Sequence, residues 1–250
     1  VPAEAGWALA LGMLGAIVGS FLANLVVRWT REQSVVRGRS ACDRCGRVLG
    51  VRELVPLASW VVQQGRCRSC GARIDPRHPA IEAGCVLAGV AAGLVAPGWE
   101  GAAGAVFGWL LLTLAAIDAS DLWLPDELTA ALALTGAASG LAFAPAPADR
   151  VIGGLGGFAA LWVVAFAYRH LRGREGLGGG DPKLFGAIGV WLGWQMLPAV
   201  LLLAGLIGLG VALFQHLRGR DVAADTALPL GTFLAAAAYP AWLAMVGWRA

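Results

Sequence analysis

The stretch Gly178-Gly179-Gly180-Asp181-Pro182-Lys183-Leu184-Phe185-Gly186-Ala187-Ile188-Gly189-Val190-Trp191-Leu192 joins a glycine bend, a single acid and an apolar run. Glycine carries no Cβ, so the bend takes backbone conformations closed to other residues and lets a neighbouring chain approach. Pro182 suits the first turn of a helix, where its missing N–H leaves no bond unmade. Asp181 is therefore predicted at a helix N-terminus against apolar sequence. An ionisable group in such a place is expensive, and expensive groups mark function.

The rest of the chain has the same apolar character. Of 250 residues, 58% are hydrophobic and 14% charged, which excludes an ordinary water-soluble domain. Ala5 to Val27 is uncharged and long enough to span roughly 30 Å of hydrocarbon. It runs into a basic region without a small-residue cleavage pattern, so it is expected to be a retained anchor. Apolar stretches recur at 83–99, 101–117, 128–148, 151–168, 184–217 and 226–248. The fifth of these is too long for one crossing, and Gly193-Trp194-Gln195-Met196-Leu197-Pro198 offers a turn inside it. The expected fold is an all-α polytopic membrane protein of about eight transmembrane helices. Its predicted parts are a first transmembrane helix at 1–27, a small cytoplasmic four-cysteine zinc domain at 28–79 and a membrane domain at 80–250.

Charge placement predicts orientation. With eight spans and the N-terminus outside, 17 of 19 basic residues fall on the cytoplasmic side, leaving only Arg150 and Arg249 outside. Ser20 and Asn24, four apart in the first span, read as interhelical hydrogen-bonding groups.

Between the first two spans, Cys42-Asp43-Arg44-Cys45 and Cys67-Arg68-Ser69-Cys70 form two Cys-x-x-Cys pairs separated by 21 residues. Four thiolates at this spacing suit one closed tetrahedral zinc site, structural rather than catalytic. Gly46 and Gly71 each follow a second cysteine, where a knuckle turns tightly. A soluble segment this small has little core, so a metal would supply its order. Thiol–disulfide chemistry is the weaker alternative, and Cys85, inside an apolar stretch, reads as a buried small hydrophobe.

Asp118 ends the stretch that precedes Ala119-Ser120-Asp121-Leu122-Trp123-Leu124-Pro125-Asp126 and is expected at the same membrane face as Asp181. Two carboxylates brought together at an apolar boundary tend to share one proton. One then serves as base toward water and the other as acid toward a carbonyl, which is aspartyl-protease chemistry. Asp121 and Asp126 read as helix caps or solvated groups. Lys183 is placed to orient a carboxylate or peptide, or to anchor the helix at a basic membrane face. The run Gly153-Gly154-Leu155-Gly156-Gly157 follows no strand, so it is not a nucleotide fingerprint, and no nucleic-acid partner is expected. A nonenzymatic zinc-containing adaptor and a small transporter are the competing readings; the second requires acids near the bilayer centre rather than at one face.

Over nearly its whole length the chain resembles the bacterial type IV prepilin peptidases, a bifunctional leader peptidase and N-methyltransferase family of Gly-x-Gly-Asp aspartyl proteases. The resemblance rests on Gly19-Ser20-Phe21-Leu22 with Asn24, both Cys-x-x-Cys pairs, Arg66-Cys67-Arg68, Pro79-Ala80-Ile81-Glu82, Asp118 through Pro125-Asp126, and Gly178 through Leu184. It implies cleavage of the basic leader of type IV prepilins or type II secretion pseudopilins at the cytoplasmic face of the inner membrane, followed by methylation of the new N-terminus from S-adenosylmethionine. It also implies Asp118 and Asp181 as the catalytic pair, Gly178, Gly180 and Lys183 as supporting residues, and Cys42, Cys45, Cys67 and Cys70 as zinc ligands. Ala23 and Asp43 depart from the common pattern without touching the pair. The methyl-donor site has no signature of its own; the region near Glu82 is its candidate surroundings.

Overall fold

The computed structural model describes residues 3–30, 39–173, 176–219 and 227–249. Arg31, Glu32, Arg37, Arg174 and Arg220, which enter the charge asymmetry, and Thr226, the predicted start of the last span, lie outside the described residues. Among the described residues the secondary structure is helical, apart from two isolated antiparallel bridges, Ala41 with Val48 and Arg66 with Arg73. The helices are α1 (Ala3–Trp29), α2 (Ala58–Val62), α3 (Arg77–Val95), α4 (Trp99–Asp121), α5 (Asp126–Ser139), α6 (Pro147–Arg172), α7 (Gly180–Leu192), α8 (Leu197–Leu217) and α9 (Leu230–Gly247).

Each predicted apolar stretch is represented by a helix. Six helices (α1, α3, α4, α6, α9, and α8 with the 3₁₀ turn Trp194–Met196 before it) are long and apolar enough to cross a membrane. At 14 and 13 residues, α5 and α7 extend only about 20 Å. Each is shorter than the hydrocarbon is thick, so six of the eight expected spans are helices long enough to cross by themselves. The long fifth stretch breaks at the expected turn: Gly193 ends α7 at φ +74°, a conformation glycine adopts without strain.

The chain forms two compact units, Val1–Ala116 and Ile117–Ala250. In the first, α1 and α3 pack with their backbones nearly touching. A Cβ on Gly93 would lie 2.6 Å from Ala8 N, and one on Gly19 would lie 2.9 Å from Glu82 Cα. Small residues at helical spacing thus let two apolar helices gain dispersion contacts where lipid supplies no hydrophobic drive. Trp109 of α4 donates its indole N–H to the Cys85 carbonyl at 2.8 Å, and Cys85 itself is fully buried, as its apolar surroundings lead one to expect. Asn24 donates to Ser20 O at 3.0 Å, one turn back in its own helix rather than across to another.

In the second unit, Arg150 organises one end. The sequence reading leaves it as a stray cation outside the membrane; the structure buries it in α6 at 5% exposure. Its guanidinium donates to the carbonyls of Gly136, Phe143, Ala144, Pro145 and Val190 and to Ser139 Oγ, at 2.8 to 3.1 Å. Gly136 and Val190 belong to the last turns of α5 and α7, where intrahelical donors run out; the Gly136 carbonyl also accepts the Gly140 N–H at 3.2 Å and the Ser139 hydroxyl at 2.8 Å. A fixed cation there binds both carbonyls and complements both helix dipoles. Arg150→Met should therefore cost about 3 kcal/mol or more through stranded buried carbonyls, read as a lower midpoint of thermal unfolding in detergent.

Candidate active site and metal centre

Two aspartates are buried in the second unit, Asp118 at 4% and Asp181 at 6% exposure. Asp118 lies in the last turn of α4. The chain leaves that helix through Leu122, which is held at φ +52° with its N–H on Asp118 O, and so turns back toward α5. Asp181 stands in the first turn of α7 with Pro182 beside it, where exposed backbone donors favour an acid.

Each carboxylate is fastened by a neighbour. Asp181 Oδ2 accepts the Gly178 N–H at 3.0 Å. Asp118 Oδ2 accepts the Thr232 N–H at 2.7 Å and the Thr232 hydroxyl at 3.0 Å. Thr232 belongs to the first turn of α9, far away in sequence, and nothing in the local pattern marks it. The second oxygen of each aspartate has no hydrogen bond among the described residues. The two acids border the same leucine, Asp118 through Gly231 and Asp181 through its neighbour Gly180, both of which abut Leu124.

The glycines are explained by space. A Cβ on Gly178 would stand 3.3 Å from Asp181 Oδ2. Gly180 faces Leu124, with a Cβ there only 2.7 Å from Leu124 Cβ. Leu124 also meets Gly231, where a Cβ would lie 2.9 Å from Leu124 Cδ1 and 3.0 Å from Asp118 Oδ2. Leu124 is thus wedged between two glycines, and that wedge sets the helix bearing Asp181 against the loop that follows Asp118. Lys183 is directed away from the pair: its ammonium meets both oxygens of Asp126 at 2.7 and 2.8 Å, an exposed bridge between the first turns of α5 and α7. Pro125, not Asp126, occupies the N-cap of α5.

In the first unit, the Sγ atoms of Cys42, Cys45, Cys67 and Cys70 all lie within 4.8 Å of one another. A tetrahedron with Zn–S bonds of about 2.3 Å has edges of about 3.8 Å. The Cys42–Cys70 sulfur separation is 3.8 Å, so the four thiols fit a zinc ion. The two halves are built alike. Cys42 N–H donates to Arg47 O and Gly46 N–H to Cys42 O; in the second half, Cys67 N–H donates to Ala72 O and Gly71 N–H to Cys67 O. Gly46 and Gly71 take φ +70° and +69°, the left-handed turn expected after each second cysteine. The backbone N–H groups of Cys70 and Ser69 lower the Cys67 thiol to about 6, toward the thiolate form that a metal requires, while the neighbouring Cys70 is pushed up to about 11. Arg47 pairs with Glu53, whose carboxyl is held below its ordinary range by the Gly50 N–H first and by Arg47 second.

Several bonds tie the module to the helices, among them Arg28 of α1 donating to Arg39 O at 3.2 Å. Glu82, buried near the start of α3, accepts the Leu57 N–H at 2.7 Å, and Leu57 is held at φ +58°. Arg77 grips Asp75 through Nε and Nη2 and donates to Thr30 Oγ1 just past α1.

Residues 13–95 match the Bacterial Peptidase A24 N-terminal domain, and residues 105–213 match the Type IV leader peptidase family. A relative from Pectobacterium carotovorum subsp. carotovorum, named prepilin leader peptidase/N-methyltransferase, is 37% identical over 267 residues covering 97% of this chain and 92% of its own. The chain belongs to the type IV leader peptidase family. Relatives with the same name from Burkholderia pseudomallei (strain 1026b) and Aeromonas salmonicida (strain A449) are 40% and 39% identical, covering 90% and 83% of this chain and 81% and 71% of theirs. No solved structure matches. In this family member the first matched domain contains the four-cysteine centre and the second contains both buried aspartates.

Proposed function

We propose that this membrane protein is a prepilin leader peptidase and N-methyltransferase whose proteolytic centre is the Asp118–Asp181 pair. The observation that carries the reading is the pairing itself: two buried carboxylates, each fixed through one oxygen, in a helical unit of a leader peptidase family member. Both acids cannot ionise cheaply at one apolar site, so the pair holds one proton and titrates as a unit. The ionised member takes a proton from water, which attacks the scissile carbonyl carbon, while the protonated member donates to the carbonyl oxygen. The resulting tetrahedral species breaks its C–N bond as the leaving nitrogen takes a proton back from the pair. Substrates are the basic leaders of type IV prepilins or type II secretion pseudopilins, and the new N-terminus is methylated from S-adenosylmethionine.

Zinc would be held by Cys42, Cys45, Cys67 and Cys70 in the cytoplasmic module at 28–79, where it would cross-link two knuckles without touching substrate. Gly178 and Gly180 support the pair by leaving room for Asp181 and Leu124, and Lys183 does so by fixing α7 to α5. The protein lies in the bacterial inner membrane with this module and the active site toward the cytoplasm, a reading supported by the arginine distribution. A membrane-impermeant thiol reagent applied to intact cells should leave Cys45 and Cys70 unmodified; labelling from outside would reverse the orientation.

The direct test of activity is purified protein incubated with a prepilin-leader peptide, with and without methyl donor, read by mass spectrometry. Leader-free product, heavier by one methyl group only when donor is present, is expected. Intact peptide would refute the protease reading. Thr232 supplies a finer test. Thr232→Val removes the hydroxyl on Asp118 while the backbone N–H remains, and should lower kcat for cleavage about 5- to 30-fold. Thr232→Ser should restore it, with the melting temperature of both variants near that of the parent.

A further inference from the structure

Beyond the aspartate pair, the first unit contains a cavity of about 540 Å³ roofed by the four-cysteine module and floored by the adjoining ends of α1 and α3. Its volume is in the range of small-molecule sites. The walls combine both charge signs with one large aromatic face: Arg28 and Arg73, Asp75 and Glu82, Asn24, and Trp60. Glu82 is the distinctive member. It is buried, one carboxylate oxygen is held by Leu57 N–H, and the other has no hydrogen bond among the described residues. The backbone that holds it is itself strained, since Leu57 adopts a positive φ without being glycine.

We propose that this cavity binds the methyl donor, S-adenosylmethionine, with Glu82 and Trp60 as its principal contacts; the proposal rests on the methyltransferase half of the function above. The donor is a zwitterion with an additional sulfonium charge. Its amino-acid end needs both a cation and an anion, which Arg73 and Glu82 supply. Its sulfonium and adenine ring need an aromatic face, as cationic ligands elsewhere do, and Trp60 offers one. Glu82 Oε1 is the acceptor on the cavity wall that donor N–H or ribose O–H groups would use. A basic leader peptide fits poorly, because the acids on these walls are matched by arginines rather than forming an acidic lining. Methyl transfer breaks the S–CH₃ bond, whose electron pair returns to sulfur as a neutral thioether. The lone pair of the acceptor amine forms the N–CH₃ bond, and the proton that the amine sheds passes to water.

The test is calorimetric titration of purified full-length protein with S-adenosylmethionine, comparing the parent with Glu82→Gln and Trp60→Leu at equal zinc content. Gln keeps an acceptor for Leu57 N–H while removing the charge. Glu82→Gln should raise Kd about tenfold or more, and Trp60→Leu about 3- to 30-fold. A Kd for Glu82→Gln within threefold of the parent overturns the site. Should Glu82→Gln lose its zinc, Trp60→Leu decides by the same threshold. Displacement of bound donor by a basic leader peptide also overturns it. A parent protein that binds no donor removes the methyltransferase reading itself, whereas a parent that binds donor as tightly as both variants removes only this location.

Discussion

Asp118→Asn and Asp181→Asn should each abolish nearly all leader cleavage, lowering kcat by about 10²- to 10⁴-fold, the range that general acid–base groups supply. Asparagine retains the shape of the side chain and a carbonyl oxygen able to accept from Thr232 or Gly178, so the fold around each site survives. What it loses is exchange of the shared proton. Because the two acids act as a unit, the double variant should be scarcely slower than either single one. Asp121→Asn is the control: Asp121 is exposed at the end of α4, and its variant should keep most activity. The measurement is single-turnover cleavage by each purified variant at matched amounts. Near-parental turnover by Asp181→Asn would end the dyad mechanism.

The parts of this site that are legible in the sequence are those written into local pattern. Asp181 is visible because a glycine bend, a proline and an apolar run specify a helix start within a few residues. The four cysteines are visible because metal ligands come in fixed short spacings, and the break at Gly193 because only a turn residue interrupts so long an apolar stretch. Long-range partners leave no such mark. Thr232 lies 114 positions from Asp118 and looks like any hydroxyl near a helix start. Leu124 is one leucine among many, and only its two glycine neighbours reveal the wedge. Lys183 reads equally as a partner of the catalytic acid or as a membrane anchor, and the structure gives it Asp126 instead. Charge counting gives Arg150 a side but not its burial, because it treats every cation as solvated, whereas buried carbonyls at two helix ends can take one in. Span counting finds α5 and α7 but not their shortness, 14 and 13 residues, for a related reason. Apolar composition reports burial, and a short helix packed among others is as apolar as one that crosses lipid.

Cys67→Ser should release the zinc and unfold the module between α1 and α3. The expected effect is large because so little else holds this segment. It lacks a hydrophobic core of its own: among residues 39–76 Cys67 alone is buried, at 8% exposure. Its order comes from two matched knuckles, a few ion pairs and the metal that would join them. A hydroxyl in place of a thiolate leaves three ligands and an open coordination position, and the affinity loss should go well beyond the roughly 10- to 100-fold that follows from losing a group that merely orients a ligand. Zinc binding to such sites is worth about 10–16 kcal/mol at neutral pH, so most of the folding free energy of the module goes with it. Metal analysis of the purified parent should give one zinc per chain and the variant almost none, and limited proteolysis of the variant should cut between Cys42 and Arg73 while α1 and α3 remain paired in detergent. A parent free of zinc would remove the metal from the fold. A variant that keeps both zinc and protease resistance would show that the knuckles hold together through their backbone turns alone.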